Sequence, residues 1–350
     1  MCALVLHAVL LGMRHVAVFG GSGLVGSRVC RALTEEFGAT VTSISLSTST
    51  APEWAANAPW AQRVDWRMAN ASEPGAAEAV MSSLGSVDGV VSCIGSQDVL
   101  DLSTSGREES WRYRTWRLNG PPNVAVARAA RREGVQRYVY VGVSSDAETG
   151  LSGAMPGLFN GKREAADAAR DAFGDDAIVF GPHRIFCEAG VMGALGSFAQ
   201  SALSSPVGRG LVVANRVLGN IGEWRTCAAR PAEQVSPPHP CDIPMRAGCA
   251  GYRGEDFVTK TQLTPPVAAN DLAIAIAAVV VGAVEVERTE RVAMVPSKTG
   301  SGVEVRVVGR HVDGTDAILR LTGAALAASA SARREQAQRV AEGAAGTTRA

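Results

Sequence analysis

The chain has 350 residues, which is enough for one large domain or two modest ones at roughly 150 residues each. Its 46% hydrophobic and 19% charged content excludes a disordered protein, and 34 basic residues balanced by 34 acidic ones exclude a surface built to bind nucleic acid. No apolar run reaches the roughly 18 residues of a membrane-spanning helix, so we expect a soluble intracellular protein without a transmembrane segment.

Neither the cysteines nor the first residues indicate secretion. The seven cysteines are scattered without a CxxC pair, which favours a reducing compartment. Residues 1–13 contain an apolar stretch, but no positively charged segment precedes it and no clear cleavage site follows it. We therefore interpret 1–13 as an N-terminal extension without functional weight, with Met13 as an alternative start site.

From residue 14 onward, short β-rich runs alternate with helix-like segments, which is typical of an α/β fold built on a parallel sheet. The predicted strands are 15–19, 40–47, 63–68, 87–93, 136–143 and 177–180. The predicted helices between them are 24–37, 74–84, 111–133 and 162–173. Because the fourth and fifth strands are almost continuously apolar, helices are expected to cover both faces of the sheet.

The later part of the chain is less regular. Residues 215–265 are dense in Pro, Gly, Cys and Arg, and we expect a loop-rich region on the substrate side. An apolar helix that Asn270 is placed to cap, two strand-like runs and an Ala-rich helix from Thr315 follow.

The strongest local signal is a glycine loop, VAVFGGSGLVGSRVC at 16–30, in which a strand leads into glycines and then a helix. Gly20 permits a tight turn, Gly23 a close approach of the backbone to a pyrophosphate, and Gly26 close packing of the helix on the strand. The pattern predicts a nicotinamide dinucleotide site in a Rossmann-type doubly wound parallel sheet, and the alternative is a glycine loop kept for packing alone. The predicted pyrophosphate-binding residues are Gly20, Gly21, Ser22, Gly23, Leu24, Val25 and Gly26.

The end of the second strand bears on the choice of cofactor. A site for NAD places a carboxylate about 20 residues after the loop, but this sequence reads SLSTST at 45–50, and the next acidic residue is Glu53. The hydroxyls from Ser47 onward suit hydrogen bonding to a 2′-phosphate. The sequence therefore leans slightly toward NADP(H) over NAD(H), with an unliganded polar loop as the alternative.

Five segments together resemble the atypical or extended short-chain dehydrogenase/reductases. They are GGSGLVG at 20–26, RYVYVGVSS at 137–145, LFNGKREAADAA at 158–169, IVFGPHRIF at 178–186 and PPVAANDLAIAI at 265–276. The similarity is best to the branch that contains the Rossmann accessory subunit of mitochondrial complex I, a mitochondrial coenzyme Q biosynthesis protein and plastid relatives. It spans about residues 14–285.

The resemblance implies a bound nicotinamide cofactor and, in many members, reductase, epimerase or dehydratase chemistry through a Tyr-xxx-Lys pair with a nearby Ser or Thr. Lys162 matches the family's lysine and would reach the nicotinamide ribose, but Leu158 stands at the tyrosine position. Leucine cannot transfer a proton, so the usual acid is missing. Gly142 stands where the family usually has Ser; Ser144 and Ser145 follow closely, and Ser144 is the candidate replacement.

Further candidates follow the fourth and sixth strands. Cys93, Ile94 and Gly95 are expected to line the adenine and ribose side of the site. Pro182 retains the proline of the family's Arg-Pro-Gly run. His183 comes next and is either a replacement general acid or a structural histidine.

Other residues have a structural interpretation beside a functional one. Tyr138 and Tyr140 are expected in the core with hydrogen-bonded hydroxyls, and Asn119 in a water relay or a turn. The cysteines and histidine within 227–249 lack the paired spacing of a zinc site, so no metal site is predicted. Arginines and aromatic residues alternate at 111–117, which predicts a solvated helix or a surface that docks a protein partner.

We therefore expect an extension (1–13), an NAD(P)-binding Rossmann core (14–185), a smaller substrate-side region that completes the same fold (186–312), and an Ala-rich helix with a tail (313–350). One functional hypothesis is an NAD(P)H-dependent oxidoreductase or epimerase/dehydratase-like enzyme acting on a small or quinone-related substrate. The other is a cofactor-stabilised scaffold or assembly factor in a respiratory or quinone-biosynthesis complex, which the missing tyrosine favours. A mitochondrial or plastid location is implied by the resemblance alone.

Overall fold

The computed structural model describes residues 14–96, 111–151, 155–187, 265–296 and 302–347. The strands are β1 (His15–Phe19), β2 (Thr40–Ser45), β3 (Val64–Met68), β4 (Gly89–Ser92), β5 (Arg137–Val141), β6 (Ala177–Gly181), β7 (Ile185–Phe186), β8 (Val267–Ala268), β9 (Arg288–Pro296) and β10 (Gly302–Asp313). The helices are α1 (Leu24–Glu35), α2 (Ala76–Ser83), α3 (Trp111–Asn119), α4 (Pro121–Arg132), α5 (Ser145–Leu151), α6 (Pro156–Phe173), α7 (Ala269–Val280) and α8 (Thr315–Thr347).

Eight of these strands form one sheet in the order β3-β2-β1-β4-β5-β6-β10-β9, and β7 pairs with β8 apart from it. Neighbours in the large sheet are parallel except for β9 and β10, which form an antiparallel pair. The run β3-β2-β1-β4-β5-β6 is the strand order of a doubly wound dinucleotide-binding sheet, so the predicted Rossmann-type α/β fold is confirmed. The order reverses between β1 and β4, and sheets of this kind bind ligands in the crevice at that point, outside the carboxyl ends of the strands.

Side chains of the central strands alternate between two hydrophobic cores. On β1, Val16 and Val18 belong to the core that α1 and α7 cover, whereas Ala17 and Phe19 belong to the core that α2, α4 and α6 cover. Helices therefore pack on both faces of the sheet, as the continuously apolar strands predicted. This leaves the carboxyl edge of the sheet as the surface where loops and helix N-termini meet.

The predicted helices differ from the observed ones at two places near the site. The predicted helix over 111–133 is two helices, α3 and α4, which meet at Gly120 because Pro121 and Pro122 lack the amide hydrogens that a continuous helix needs. Helix α6 begins at Pro156, a residue type favoured at the first helical position, and not at Lys162. Lys162 therefore lies inside the helix.

The last strands and helix, β9, β10 and α8, form a unit that we name the C-terminal unit. Strand β10 extends the sheet beside β6, with Asp313 in register with Gly181. Helix α8 buries Ile318 and Ala325 on one side, and Ser329 donates to the backbone oxygen of Glu36 at 3.2 Å. The unit is thus fixed both to the sheet and to the end of α1.

Within the described ranges, we find no helix with both the length and the hydropathy needed to cross a bilayer.

Candidate functional site

The glycine loop lies at the carboxyl end of β1, on one side of the crevice. Gly20 has a φ of +76°, a left-handed conformation that favours glycine, and its amide donates to the carbonyl oxygen of Ile44 at 2.7 Å. A Cβ atom on Gly20 would lie 2.9 Å from both carbonyl atoms of Cys93. A Cβ atom on Gly26 would overlap the carbonyl oxygen of Gly20 and lie 2.8 Å from its carbonyl carbon. The loop is therefore packed tightly against both the β4 exit and helix α1.

The N-terminus of α1 is open on the side of the crevice. Gly23 is the N-cap residue, and a Cβ atom there would have the carbonyl oxygen of Gly20 as its closest neighbour, at 3.2 Å. Leu24 is 46% exposed, and the first turn has no acidic residue. First-turn amides lack intrahelical acceptors, and the helix dipole places positive charge beside them. This backbone cradle fits the pyrophosphate of a dinucleotide.

Ser45 is a candidate site residue that the sequence reasoning missed. It is the last residue of β2, and its Oγ accepts a hydrogen bond from the Ser22 amide at 2.9 Å. Ser45 thus stands where sites for NAD carry the carboxylate that binds the adenosine ribose. The predicted candidate, Ser47, is exposed in the turn beyond the strand. Two features of the sequence could have indicated Ser45, namely its spacing from the glycines and its position at the end of the apolar strand.

On the other side of the crevice, the loop after β4 is held by buried polar groups. The Cys93 amide donates to the carbonyl oxygen of Phe19 at 2.8 Å, which continues the pairing of β1 and β4. Burial raises the pKa of the Cys93 thiol to about 12, so this group is a neutral thiol near pH 7. A Cβ atom on Gly95 would lie 2.9 Å from Lys162 Nζ, which places this glycine beside the lysine.

Lys162 bridges the exits of β4 and β5. Its Nζ donates to the carbonyl oxygen of Val141 at 3.0 Å and to that of Ile94 at 3.3 Å. The same atom lies 5.3 Å from the centre of the Tyr140 ring. Burial lowers the pKa of Lys162 to about 8. The lysine is therefore positioned by backbone oxygens at the half of the crevice formed by β4, β5 and β6.

Leu158 lies on α6 one turn before Lys162, at the position where the resemblance expects tyrosine. Its side chain is buried with Ala147 and Phe159 in a small apolar cluster. Ser144, the candidate hydroxyl, is also buried, and its Oγ accepts the Ala147 amide at 3.2 Å. This hydroxyl caps the start of α5, as serine commonly does at helix N-termini. The position of the proton-transferring tyrosine is thus filled by apolar packing.

The loops that follow β5, β6 and β10 meet at the carboxyl edge of the sheet, on the side away from the glycine loop. The Ser144 amide donates to the carbonyl oxygen of Pro182 at 3.0 Å, and His183 follows as a half-buried residue. The Ser145 amide donates to Asp313 Oδ1 at 3.0 Å. The structure therefore places Ser144 against Pro182, with His183 next in the chain, and adds Asp313, which no motif indicated.

Asn119 anchors the β4 exit. Its buried amide exchanges two hydrogen bonds with the backbone of Ser96, at 3.2 and 3.3 Å, and donates to the carbonyl oxygen of Thr115 at 2.8 Å. This arrangement supports a loop-anchoring role for Asn119. Both Tyr138 and Tyr140 are buried in the α6-side core, as expected. Their hydroxyls were expected to be hydrogen-bonded, but neither has a hydrogen-bond partner among the described residues.

Other features lie away from this edge or outside the described residues. A groove of about 790 Å³ is lined by residues of α3, α4 and α6, on the outer face of these helices. In it, Trp116 Nε1 donates to Glu164 at 2.7 Å, so the aromatic residues of α3 anchor it to α6. The predicted loop-rich region 215–265, including the cysteines of 227–249, lies outside the described residues except for its last position, 265. Among the residues that are described, no group of three or more His, Cys, Asp or Glu side chains is placed to hold a metal ion.

A comparison with protein families matches the part of the chain that contains the glycine loop and the half-buried Lys162. Residues 16–166 match the NAD dependent epimerase/dehydratase family. The match begins in β1 and ends in α6, so it includes the glycine loop, the β4 exit and Lys162. The branch of the resemblance that contains the complex I subunit and the coenzyme Q protein is not distinguished by this match. A search of curated proteins found no match.

Three solved structures are similar to this chain at low identity. The Bordetella bronchiseptica enzyme WbmH, in complex with NAD+, is 19% identical over 55% of this chain and 62% of its own, with a TM-score of 0.39. A nucleoside-diphosphate-sugar epimerase from Agrobacterium tumefaciens is 20% identical over 54% and 58%, with a TM-score of 0.37. A dTDP-4-dehydrorhamnose reductase from Yersinia enterocolitica is 17% identical over 60% and 61%, with a TM-score of 0.36. The chain therefore spans less than two thirds of each of these three proteins.

Proposed function

We propose that this chain binds a nicotinamide dinucleotide across the crevice between β1 and β4, as a protein of the extended short-chain dehydrogenase/reductase type. The observation that carries the proposal is the glycine cradle: Gly20 in a left-handed conformation, Gly26 packed against it, and an open Gly23 at the N-terminus of α1. Backbone amides and the helix dipole would hold the pyrophosphate, and Lys162 would donate to the nicotinamide ribose. The bound cofactor supplies hydride chemistry.

The same site supports a preference for NADP(H). Ser45 replaces the carboxylate that would bind the free ribose hydroxyls of NAD(H) and repel a 2′-phosphate. Its hydroxyl is neutral and already accepts the Ser22 amide, so it places no negative charge beside the adenosine ribose. Hydroxyl groups of the segment 47–50, of which Ser47, Ser49 and Thr50 are exposed, would then supply donors for the phosphate.

Leu158, at the position where the resemblance expects tyrosine, favours a structural role for the bound nucleotide. A tyrosine beside Lys162 would act as the proton donor because the cation lowers its pKa, but Leu158 packs with Phe159 and Ala147 instead. Ser144 caps α5 through the hydroxyl that would otherwise face a substrate. We therefore propose a cofactor-stabilised scaffold or assembly protein, in which the dinucleotide stabilises the crevice. Its partners and its place in the cell follow only from the resemblance to the respiratory and quinone-biosynthesis branch.

The second candidate is an NAD(P)H-dependent oxidoreductase with a different proton donor. His183 favours it, because this residue lies at the carboxyl end of β6 and remains partly accessible. In that case a small or quinone-related substrate would bind against the loops after β5 and β6, and the imidazole would protonate it.

Two assays separate these possibilities. Thermal unfolding of the purified chain with NADPH, NADP, NADH and NAD tests binding, since a ligand at 100 times its Kd stabilises the folded state by about 2.7 kcal/mol. Gly23→Asp is the control, because its carboxylate would repel the pyrophosphate. We expect NADPH to raise the unfolding temperature of the wild type and not that of the variant. If none of the four nucleotides raises the unfolding temperature of the wild type, the proposal is wrong. If a substrate causes the oxidation of bound NADPH, and His183→Ala abolishes this oxidation, the scaffold proposal is wrong and the enzyme proposal takes its place.

A further inference from the structure

The C-terminal unit reaches the candidate site through a single carboxylate. Asp313 is the last residue of β10, and because β10 runs parallel to β6, its side chain lies at the carboxyl edge of the sheet. Oδ1 of Asp313 accepts the Ser145 amide at 3.0 Å, and Oδ2 accepts the Ser145 hydroxyl. Both carboxylate oxygens are thus directed at the first residue after the β5 exit loop.

The sheet leaves space for this carboxylate by having glycine at position 181. A Cβ atom on Gly181 would lie 2.6 Å from Asp313 Oδ1 and 2.9 Å from the carbonyl oxygen of Val143, closer than real Cβ contacts come. The Gly181 carbonyl oxygen in turn accepts the Gly314 amide at 2.9 Å. The ends of β6 and β10 are therefore fitted to each other around the Asp313 side chain.

The contact continues into the wall of the proposed dinucleotide site. Ser145 is joined to Ser144, whose amide donates to the carbonyl oxygen of Pro182 at 3.0 Å. These residues follow β5 and β6, which belong to the second mononucleotide-binding half of a doubly wound sheet. The first half, with β1 to β3, holds the glycine loop and Ser45. Asp313 is therefore connected to the nicotinamide half and not to the adenosine half.

We propose that Asp313 is a positioning residue for the nicotinamide half of the bound dinucleotide. By holding Ser145, it fixes the β5 and β6 exit loops in the arrangement against which the nicotinamide ribose and ring bind. The C-terminal unit, which lies beyond the matched residues 16–166, thereby becomes part of the cofactor site. This inference rests on the proposed dinucleotide site.

The test compares two ligands on one variant. Calorimetric titration measures the Kd of the preferred dinucleotide and of the matching adenosine fragment, 2′,5′-ADP for NADP(H) or ADP for NAD(H), which lacks both the nicotinamide ring and its ribose. In Asp313→Ala we expect the affinity for the dinucleotide to fall about tenfold, as for coupled neighbouring groups, and that for the fragment to stay unchanged. Asp316→Ala is the matched control: it removes an exposed carboxylate from the first turn of α8 and should change neither Kd.

The outcomes distinguish this inference from the proposal on which it rests. If Asp313→Ala weakens both ligands equally, or neither, Asp313 does not act on the nicotinamide half and the inference is wrong. If the wild type binds neither ligand, the dinucleotide site itself fails, and the inference fails with it. Should Asp313→Ala not fold, Asp313→Asn keeps the volume and an acceptor for the Ser145 amide but loses the acceptor for the Ser145 hydroxyl. We then expect a smaller loss that is again confined to the dinucleotide, and an equal loss for both ligands or no loss overturns the inference.

Discussion

Substitution of Gly26 by alanine tests the cradle at its tightest contact. The new Cβ atom would lie 2.8 Å from the carbonyl carbon of Gly20 and from the Cα atom of Gly21. Carbon atoms that are not bonded pack at about 3.5–4.0 Å, so the loop and α1 would have to separate by at least roughly 0.7 Å. Overpacking of this kind costs about 1–3 kcal/mol, against a gain of up to about 1 kcal/mol from replacing glycine in a helix. We expect a net loss of about 1 kcal/mol.

The loss of ligand binding should exceed the loss of stability, because the displaced loop is the part that we propose holds the pyrophosphate. If the Kd for NADPH rises tenfold, the stabilisation at 100 times the original Kd falls from about 2.7 to about 1.4 kcal/mol. Denaturant unfolding with and without NADPH measures both quantities.

The matched control is Gly323→Ala, since Gly323 is an exposed residue within α8 and a Cβ atom there would have no neighbour within 4 Å. The free energy of unfolding of this variant should exceed that of the wild type by up to about 1 kcal/mol, and NADPH should stabilise it as much as it stabilises the wild type. The reasoning is refuted if Gly26→Ala is as stable as Gly323→Ala and responds normally to NADPH.

Three further predictions follow from the site. Ser45→Asp should weaken NADPH at least about tenfold and strengthen NADH, because a carboxylate repels the 2′-phosphate and accepts from the ribose hydroxyls; unchanged Kd ratios by calorimetry would contradict this. Leu158→Tyr should give the NADPH-bound protein measurable turnover with quinone or aldehyde probes, followed by nicotinamide absorbance, whereas an inert variant means that the tyrosine alone does not complete the site. Lys162 has a folded pKa of about 8 against an ordinary 10.5, so the unfolded chain holds the extra proton between these values and stability should rise with pH through this window. Urea unfolding measures the free energies of unfolding of the wild type and Lys162→Met from pH 7 to 10. Over this range the free energy of the wild type should rise relative to that of the variant by on the order of 3 kcal/mol. If the two free energies change in parallel with pH, the lowered pKa of Lys162 is wrong.

The parts of the fold that sequence could predict are those governed by local patterns. The strand β1, the glycine loop and α1 follow one another within 21 residues, and each has a distinct signature of apolar run, glycine spacing or helical period. Strand ends were predicted less well: β2 stops at Ser45, not at residue 47, because the polar residues beyond it leave the sheet. That difference of two residues hid Ser45 as a site residue.

The parts that sequence could not predict depend on contacts between distant segments. The strand-like run of β10 was recognised, but not its parallel pairing with β6, because alternation indicates a strand and says nothing of its neighbour. Asp313 and Ser145 are separated by 168 positions, and neither belongs to a motif that indicates the other. The glycine at position 181 became meaningful only when the carboxylate beside it was located.

Direct equilibrium binding of NADPH tests the central claim most simply. Calorimetric titration of the wild type should show one NADPH bound per chain, tighter than NADH, and titration of Gly23→Asp should show no binding. Absence of binding by NADPH, NADP, NADH and NAD alike, in a wild-type chain that unfolds cooperatively, would mean that the glycine loop serves packing alone and that this protein holds no dinucleotide.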